Sequence, residues 1–230
     1  MTAAYPSPNS GPRRDGHLPR LVVLHYTGMA SCAAALARLC DPAAEVSAHY
    51  LIDEGGAVLA LVPEEARAWH AGAGAWGGQG DVNSRSIGIE LANPGDRPFA
   101  EPQMAALERL LPGILTRWQI PPQGVIAHSD LAPDRKSDPG PRFDWRRLAR
   151  QGLAVWPDAP APAADAPPAL PAAFAARARA FGYPDAPPET LLAAFRLRFR
   201  PWARGPLDAT DLVLADSLAR RYPAPPPLSV

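Results

Sequence analysis

Cysteine is scarce in this chain, with two residues in 230. Both lie in "SCAAALARLCD", whose apolar pattern predicts a helix. Cys32 and Cys40 are eight positions apart, which along a helix is about 12 Å, whereas a disulfide needs Cα atoms within roughly 7 Å. Both are expected to be free, packed thiols, and the lack of CxxC spacing speaks against a zinc-ligand role for either. Net charge is also missing, since 23 basic residues face 23 acidic ones. That removes the electrostatic case for nucleic acid or an anionic membrane as a partner. No apolar run is long enough to span a bilayer, and "MTAAYPSPNSGPRRDGHLPR" at the start holds no apolar stretch of secretory-signal length. The expectation is a cytoplasmic protein, or a periplasmic one if a signal has been removed from this sequence. Oligomeric state leaves no mark on the sequence, and a monomer is the default.

Proline is abundant, at 30 residues, and so are short apolar segments. Residues 1–20 are polar and proline-dotted and read as an extended arm. "LVVLH" (21–25) predicts a buried strand, and the helix at 32–40 follows it. "HYLID" (49–53) and "AVLALVP" (57–63) flank Glu-Gly-Gly and predict a β-hairpin. "AWHAGAGAWGGQGDVNSRS" (68–86) is too long and glycine-rich for a plain connector, and loops of that size tend to be functional. "IGIEL" (87–91) and "GVIAH" (124–128) predict strands. "EPQMAALERLLPGILTRWQI" (101–120) predicts a helix with a break or kink at Pro112. "DWRRLARQGL" (144–153) predicts a helix with Asp144 as its N-cap. Alternating strands and helices over 21–155 define an α/β domain, a central sheet flanked by helices. Composition then shifts to a Pro/Ala-rich linker over 156–168. Residues 169–222 carry three helical patterns and no strand signal, a small all-α unit near the lower limit of independent stability. Within it, Asp208 and Asp211 supply acids to the first turn of the last helix. Residues 223–230 form a tail.

Of five histidines, His17 lies in the polar arm, and His49 sits on a strand facing away from its neighbour Tyr50 and reads as structural. His25 and His128 both sit at the C-terminal ends of predicted strands, where ligands of open α/β sheets tend to bind. A catalytic zinc site commonly takes three protein ligands and keeps one position open. Asp138, in "KSDPG", is a candidate third ligand, ten residues beyond His128 with Pro139-Gly140 to turn the backbone. On spacing alone Asp130 and Asp134 serve as well.

"LVVLHYTG", "SAHYLID", "AWHAG", "NSRSIGIELAN" and "AHSDLAPDRKSDPG" occur in this order. Together they resemble the zinc-dependent N-acetylmuramoyl-L-alanine amidases, the type 2 amidase family that shares its fold with peptidoglycan recognition proteins. The resemblance covers about residues 20–155 and implies a mixed β-sheet flanked by helices. It implies one Zn²⁺ per chain held by His25, His128 and Asp138, with Glu90 and Lys136 as catalytic residues. Asp130, Asp134 and Arg135 are then left to loop conformation and solvation. Glu90 sits among Ile and Leu, where an unpaired carboxylate is costly to bury, so a partner or a task is expected for it. The resemblance also implies substrate contacts for Tyr50, near the metal, and for Trp69 and His70. Asn83 and Arg85 are candidates for binding peptide carboxylates.

The C-terminal segment resembles the three-helix peptidoglycan-binding domain attached to many cell-wall hydrolases, through Phe181-Gly182-Tyr183, Phe195, Phe199, Gly205 and Asp208. Such aromatics are more often core than ligand contacts, which leaves a sugar-binding surface open, with bracing of the catalytic domain as the alternative role. The implied activity is hydrolysis of the bond between N-acetylmuramic acid, in its 1,6-anhydro form or not, and L-alanine. Peptidoglycan or an anhydromuropeptide is the implied substrate, in wall turnover or recycling. The competing class is a non-catalytic peptidoglycan-binding receptor on the same fold, in which a metal ligand is typically missing.

Overall fold

The structure, a computed structural model, describes residues 3–158 and 168–224. The chain runs through β1 (Ala3–Ala4), β2 (Ser10–Gly11), β3 (Leu21–Tyr26), α1 (Cys32–Cys40), β4 (Tyr50–Ile52), β5 (Val58–Ala60) and β6 (Arg67–Ala68). It continues through α2 (Val82–Arg85), β7 (Ser86–Leu91), α3 (Glu101–Trp118), β8 (Val125–Ala127), α4 (His128–Leu131) and α5 (Trp145–Arg150). The last helices are α6 (Pro171–Phe181), α7 (Pro188–Phe199) and α8 (Ala209–Arg221). Most of the predicted linker, residues 159–167, and most of the tail, residues 225–230, lie outside the described residues.

Six strands form a mixed sheet in the order β1-β5-β4-β7-β3-β8. The three central pairings, β4 with β7, β7 with β3 and β3 with β8, are parallel, and β4 with β5 is the antiparallel hairpin. The N-terminal arm is extended but not loose. β1 adds to the sheet edge beside β5, β2 pairs with β6, and Arg13 donates to the carbonyls of Asn83, Ser84, Glu64 and Ser86. Cys32 and Cys40 are free and only half-buried.

Side chains alternate across each strand. Val22 and Leu24 of β3, Ile87, Ile89 and Leu91 of β7, and Val125 and Ala127 of β8 face a core completed by α3 and α5. The break expected at Pro112 does not occur, for α3 runs through it. An interior proline costs a helix about 3 kcal/mol. Met104, Leu107, Leu111 and Ile114 are all buried against the sheet, and each such side chain contributes about 1.5–3 kcal/mol, so packing outweighs the lost backbone bond. The second face carries α1 over β4 and β5 at one end. At the other end Val23 and Ile126 share a core with Phe174, Phe181, Leu191, Phe195, Phe199 and Leu218 of α6–α8. The three C-terminal helices thus pack onto the sheet itself. Asp208 and Asp211 cap α8 reciprocally, as their spacing suggests. Among the described residues no helix is long and apolar enough to cross a membrane.

One contact between the helices and the glycine-rich loop is especially tight. Gly182 ends α6 at φ +140° and its carbonyl accepts from Gly77 N–H at 2.8 Å. A Cβ there would stand 2.4 Å from the Trp76 ring. Gly182→Ala is expected to lower stability by about 1–3 kcal/mol, from backbone strain and crowding together. Urea denaturation measures it, and an unchanged midpoint contradicts the packing described.

Candidate metal centre and active site

The sheet's alternation decides which side chains meet. In β3 the residues opposite to Val22 and Leu24 are Val23 and His25, and in β7 those opposite to Ile87, Ile89 and Leu91 are Ser86, Gly88 and Glu90. The parallel register sets His25 directly beside Glu90. On the other side of β3, β8 ends at Ala127. His128 is therefore not a strand residue, as "GVIAH" suggested, but opens the short helix α4. The following loop returns to it, since Ser129 N–H donates to the Asp138 carbonyl at 3.0 Å.

Three atoms converge there. His25 Nδ1 lies 3.0 Å from His128 Nδ1 and 2.9 Å from Asp138 Oδ2, and His128 Nδ1 lies 3.0 Å from the same oxygen. All three residues are buried. The far nitrogens fix the tautomers. His128 Nε2 faces the Ala71 carbonyl at 2.9 Å, which only accepts, so Nε2 carries the proton and Nδ1 is a lone pair. For His25 the argument runs through two further residues. Ser86 Oγ–H donates to the Val82 carbonyl at 2.6 Å and accepts from His70 Nε2–H at 3.1 Å. His70 Nδ1 is then an acceptor and takes the His25 Nε2 proton at 3.1 Å. The His25 Nδ1 is again a lone pair. Two lone pairs and a carboxylate oxygen about one hydrogen bond apart repel one another unless a cation sits between them. Two neutral imidazoles and a carboxylate form a donor set that suits zinc, with hydrogen-bonded partners behind the imidazoles. Burial, and then the neighbouring His128, push the His25 imidazole down to about 4, so it stays neutral and able to ligate.

Glu90 shares the cleft, a cavity of about 370 Å³ lined by His25, Trp69, Glu90, His128, Lys136 and Asp138 among others. Its Oε2 is shut off from solvent and has no hydrogen-bond partner among the described residues. Burial first, and then the charge of Asp138, raise its carboxyl to about 8 against the pull of Lys136. A carboxyl raised in this way holds a proton readily, and a cation held by His25, His128 and Asp138 would favour its ionised, proton-accepting form. Lys136 is exposed at the mouth, and it is the single lysine of the chain, every other one of the 23 basic residues being arginine. A solvated cation could be either residue, so this solitary lysine was a signal in the composition.

The remaining candidates divide. Trp69 lines the cleft. His70 lies behind His25, and Gly88 makes room for it, since a Cβ on Gly88 would come within 2.4 Å of the His70 ring. Tyr50 is not in the cleft. Register pairs it with Ile89, so it faces α3, where its hydroxyl donates to Glu64 Oε1 at 2.6 Å. Its neighbour His49 lies on the site's side and is structural, accepting from Gly88 N–H at 2.9 Å. Asn83 Oδ1 accepts from the His70 and Ala71 N–H groups, which shapes the loop. Arg85 turns away to Gln79 and His17. Neither faces the cleft. Asp134 is exposed, whereas Asp130 is wholly buried and bonded to Arg198 and Tyr183. Arg135 binds the carbonyls of Ala71 and Ala73. These last contacts are long-range in sequence, and local pattern carries no trace of them.

A mixed sheet with a buried His-His-Asp triad and a glutamate beside it is an arrangement that suits a metal-dependent hydrolase. Residues 15–141 match the N-acetylmuramoyl-L-alanine amidase family, and the chain belongs to it. Over 232 aligned residues it is 37% identical to the N-acetylmuramoyl-L-alanine amidase AmiD of Escherichia coli K12, across 88% of this chain and 83% of that one. The solved structure of AmiD from E. coli with the substrate anhydro-N-acetylmuramic acid-L-Ala-D-γ-Glu-L-Lys superposes with a TM-score of 0.82 at 36% identity, covering 90% of this chain and 92% of the other. AmpDh3 of Pseudomonas aeruginosa, in complex with anhydromuramic pentapeptide, gives 0.78 at 33% identity over 90% and 93%.

His70→Ala is expected to weaken metal binding by about 10–100-fold, the usual cost of losing a partner behind a ligating histidine. Competition with a chromophoric chelator measures this, and wild-type affinity in the variant would remove His70 from the account.

Proposed function

We propose that His25, His128 and Asp138 hold one zinc ion, that Glu90 carries the proton, and that Lys136 balances the oxyanion. The reaction is that of the family, hydrolysis of the amide between N-acetylmuramic acid and L-alanine. The observation that carries the reading is the meeting of three acceptor atoms beside a carboxylate whose Oε2 has no partner among the described residues. Zinc held there would supply Lewis acidity toward the scissile carbonyl and acidity to water. Glu90 accepts a proton as the water oxygen bonds to the carbonyl carbon. It returns that proton to the nitrogen as the carbon–nitrogen bond breaks. The products are a carboxylate on the muramic acid side and a free amino group on alanine. Lys136 meets the negative charge on the carbonyl oxygen at the step between. A receptor that only binds typically lacks a metal ligand, whereas His25, His128 and Asp138 are all present here.

The substrate we favour is a soluble peptidoglycan fragment carrying 1,6-anhydro-N-acetylmuramic acid. Two similar chains hold anhydromuramyl peptides. Trp69 offers a flat apolar face in the cleft, while Arg38 and Lys136 line it with positive charge suited to acidic stem peptides.

Glu90→Gln is expected to lower kcat by about 10²–10⁴-fold with zinc content retained, as product mass spectrometry on a defined anhydromuropeptide would show. Undiminished peptide release would rule Glu90 out as the proton carrier. The same assay on intact sacculi tests the substrate, for cleavage of sacculi alone would overturn the soluble-fragment reading. Lys136→Met should cost about 10²–10³-fold in kcat. Because no other side chain of the chain is a lysine, amine acylation offers an independent check. Loss of activity that substrate prevents is expected, and full activity after complete acylation of Lys136 would contradict its role.

A further inference from the structure

Asp130 was expected to serve loop conformation and solvation, yet its side chain and that of Arg198 are both fully buried. Arg198 Nη1 donates to Asp130 Oδ2 at 2.5 Å, and Tyr183 Oη–H donates to Asp130 Oδ1 at 2.6 Å. The same carboxylate accepts from Ala127 N–H at 2.9 Å, which closes the first turn of α4. Arg198 also donates through Nη2 to the Val125 carbonyl at 3.1 Å, and its guanidinium lies over the Trp145 ring at 4.1 Å. It therefore grips the chain three residues before His128 and two residues after it. Arg198 belongs to α7, and Tyr183 follows α6. The family match ends at residue 141, before either.

We propose that Arg198 and Tyr183 are positioning residues for His128, so that the C-terminal helices form part of the metal centre's support. This rests on the reading of His128 as a metal ligand. A buried ion pair adds little to stability compared with apolar packing, because desolvation consumes most of its attraction. Its use is in geometry. Two imidazoles and a carboxylate must meet within a few tenths of an ångström, and α4 is a single turn with little rigidity of its own. The pair fixes the backbone on both sides of His128, and the Ala71 carbonyl fixes the ring. Tyr183 makes the grip bidentate on the carboxylate, and its position is held in turn by the Trp76 ring, 5.4 Å away, from the glycine-rich loop. The helices therefore reach the metal centre although none of their residues lines the cleft.

The test measures zinc dissociation constants by chelator competition on the full chain, with melting temperature and far-UV circular dichroism recorded alongside. Tyr183→Phe removes one hydroxyl from a packed ring and is expected to weaken zinc binding about 10-fold while the fold is kept. Arg198→Met should weaken it by about 10–100-fold. A control with His128→Ala separates the two levels of the account. Should His128→Ala bind zinc as tightly as the wild type, the metal-ligand reading falls and the proposal with it. Should His128→Ala lose zinc while folded Tyr183→Phe keeps wild-type affinity, the positioning role is overturned and the metal site stands. Where Arg198→Met does not fold, Tyr183→Phe decides alone.

Discussion

Two imidazole lone pairs and a carboxylate oxygen, each about 3 Å from the others, are the constraint on which the rest of the structure depends. Nothing in that trio attracts without a cation, so the surrounding chain must hold it together. For His128 the holder is a backbone carbonyl of the glycine-rich loop. For His25 it is the run through His70 to Ser86 and the Val82 carbonyl, in which every donor has one acceptor and each proton has one direction. The loop over 68–86 is long because it supplies both sets of partners. Asn83 keeps it in shape by accepting from two consecutive N–H groups.

The β7 segment "SIGIEL" shows how closely fold and chemistry are tied. Its Ile, Ile and Leu fill the core beneath α3. Its Ser, Gly and Glu, on the other face, each serve the centre. Ser86 ends the hydrogen-bond run, Gly88 clears the space for the His70 ring, and Glu90 stands beside His25. Slipping the register by one residue would exchange the two faces and lose all of these at once. The buried apolar face thus pins the one that faces the cleft.

Much of this was legible in the sequence, and what was not has a physical cause. Short runs of Val, Ile and Leu mark strands wherever they are buried, and the order of elements follows. That His25, His128 and Asp138 meet was readable through strand ends, loop spacing and the family resemblance. Tyr50 was misplaced because alternation tells which neighbours point apart but not which face each one takes. Only the pairing of Tyr50 with Ile89 settles that. The expected break at Pro112 failed because a local rule met a long buried face. Asp130 was misjudged for the opposite reason. Its partners lie 53 and 68 residues away, and a charged loop residue gives no local sign that an arginine will cover it. The C-terminal helices read as a unit of their own on composition; their apolar faces pack with Val23 and Ile126 of the sheet, and Tyr183 and Arg198 bond to Asp130.

The central claim is that both histidines present Nδ1 to one metal, with their protons held on Nε2 by the partners behind them. Long-range ¹H–¹⁵N correlation spectroscopy of the histidine rings, in the zinc-loaded protein, reads this directly. The account expects His25 and His128 both as Nε2–H tautomers, with Nδ1 shifted by coordination. A proton on Nδ1 of either ring, or coordination through Nε2, would contradict it.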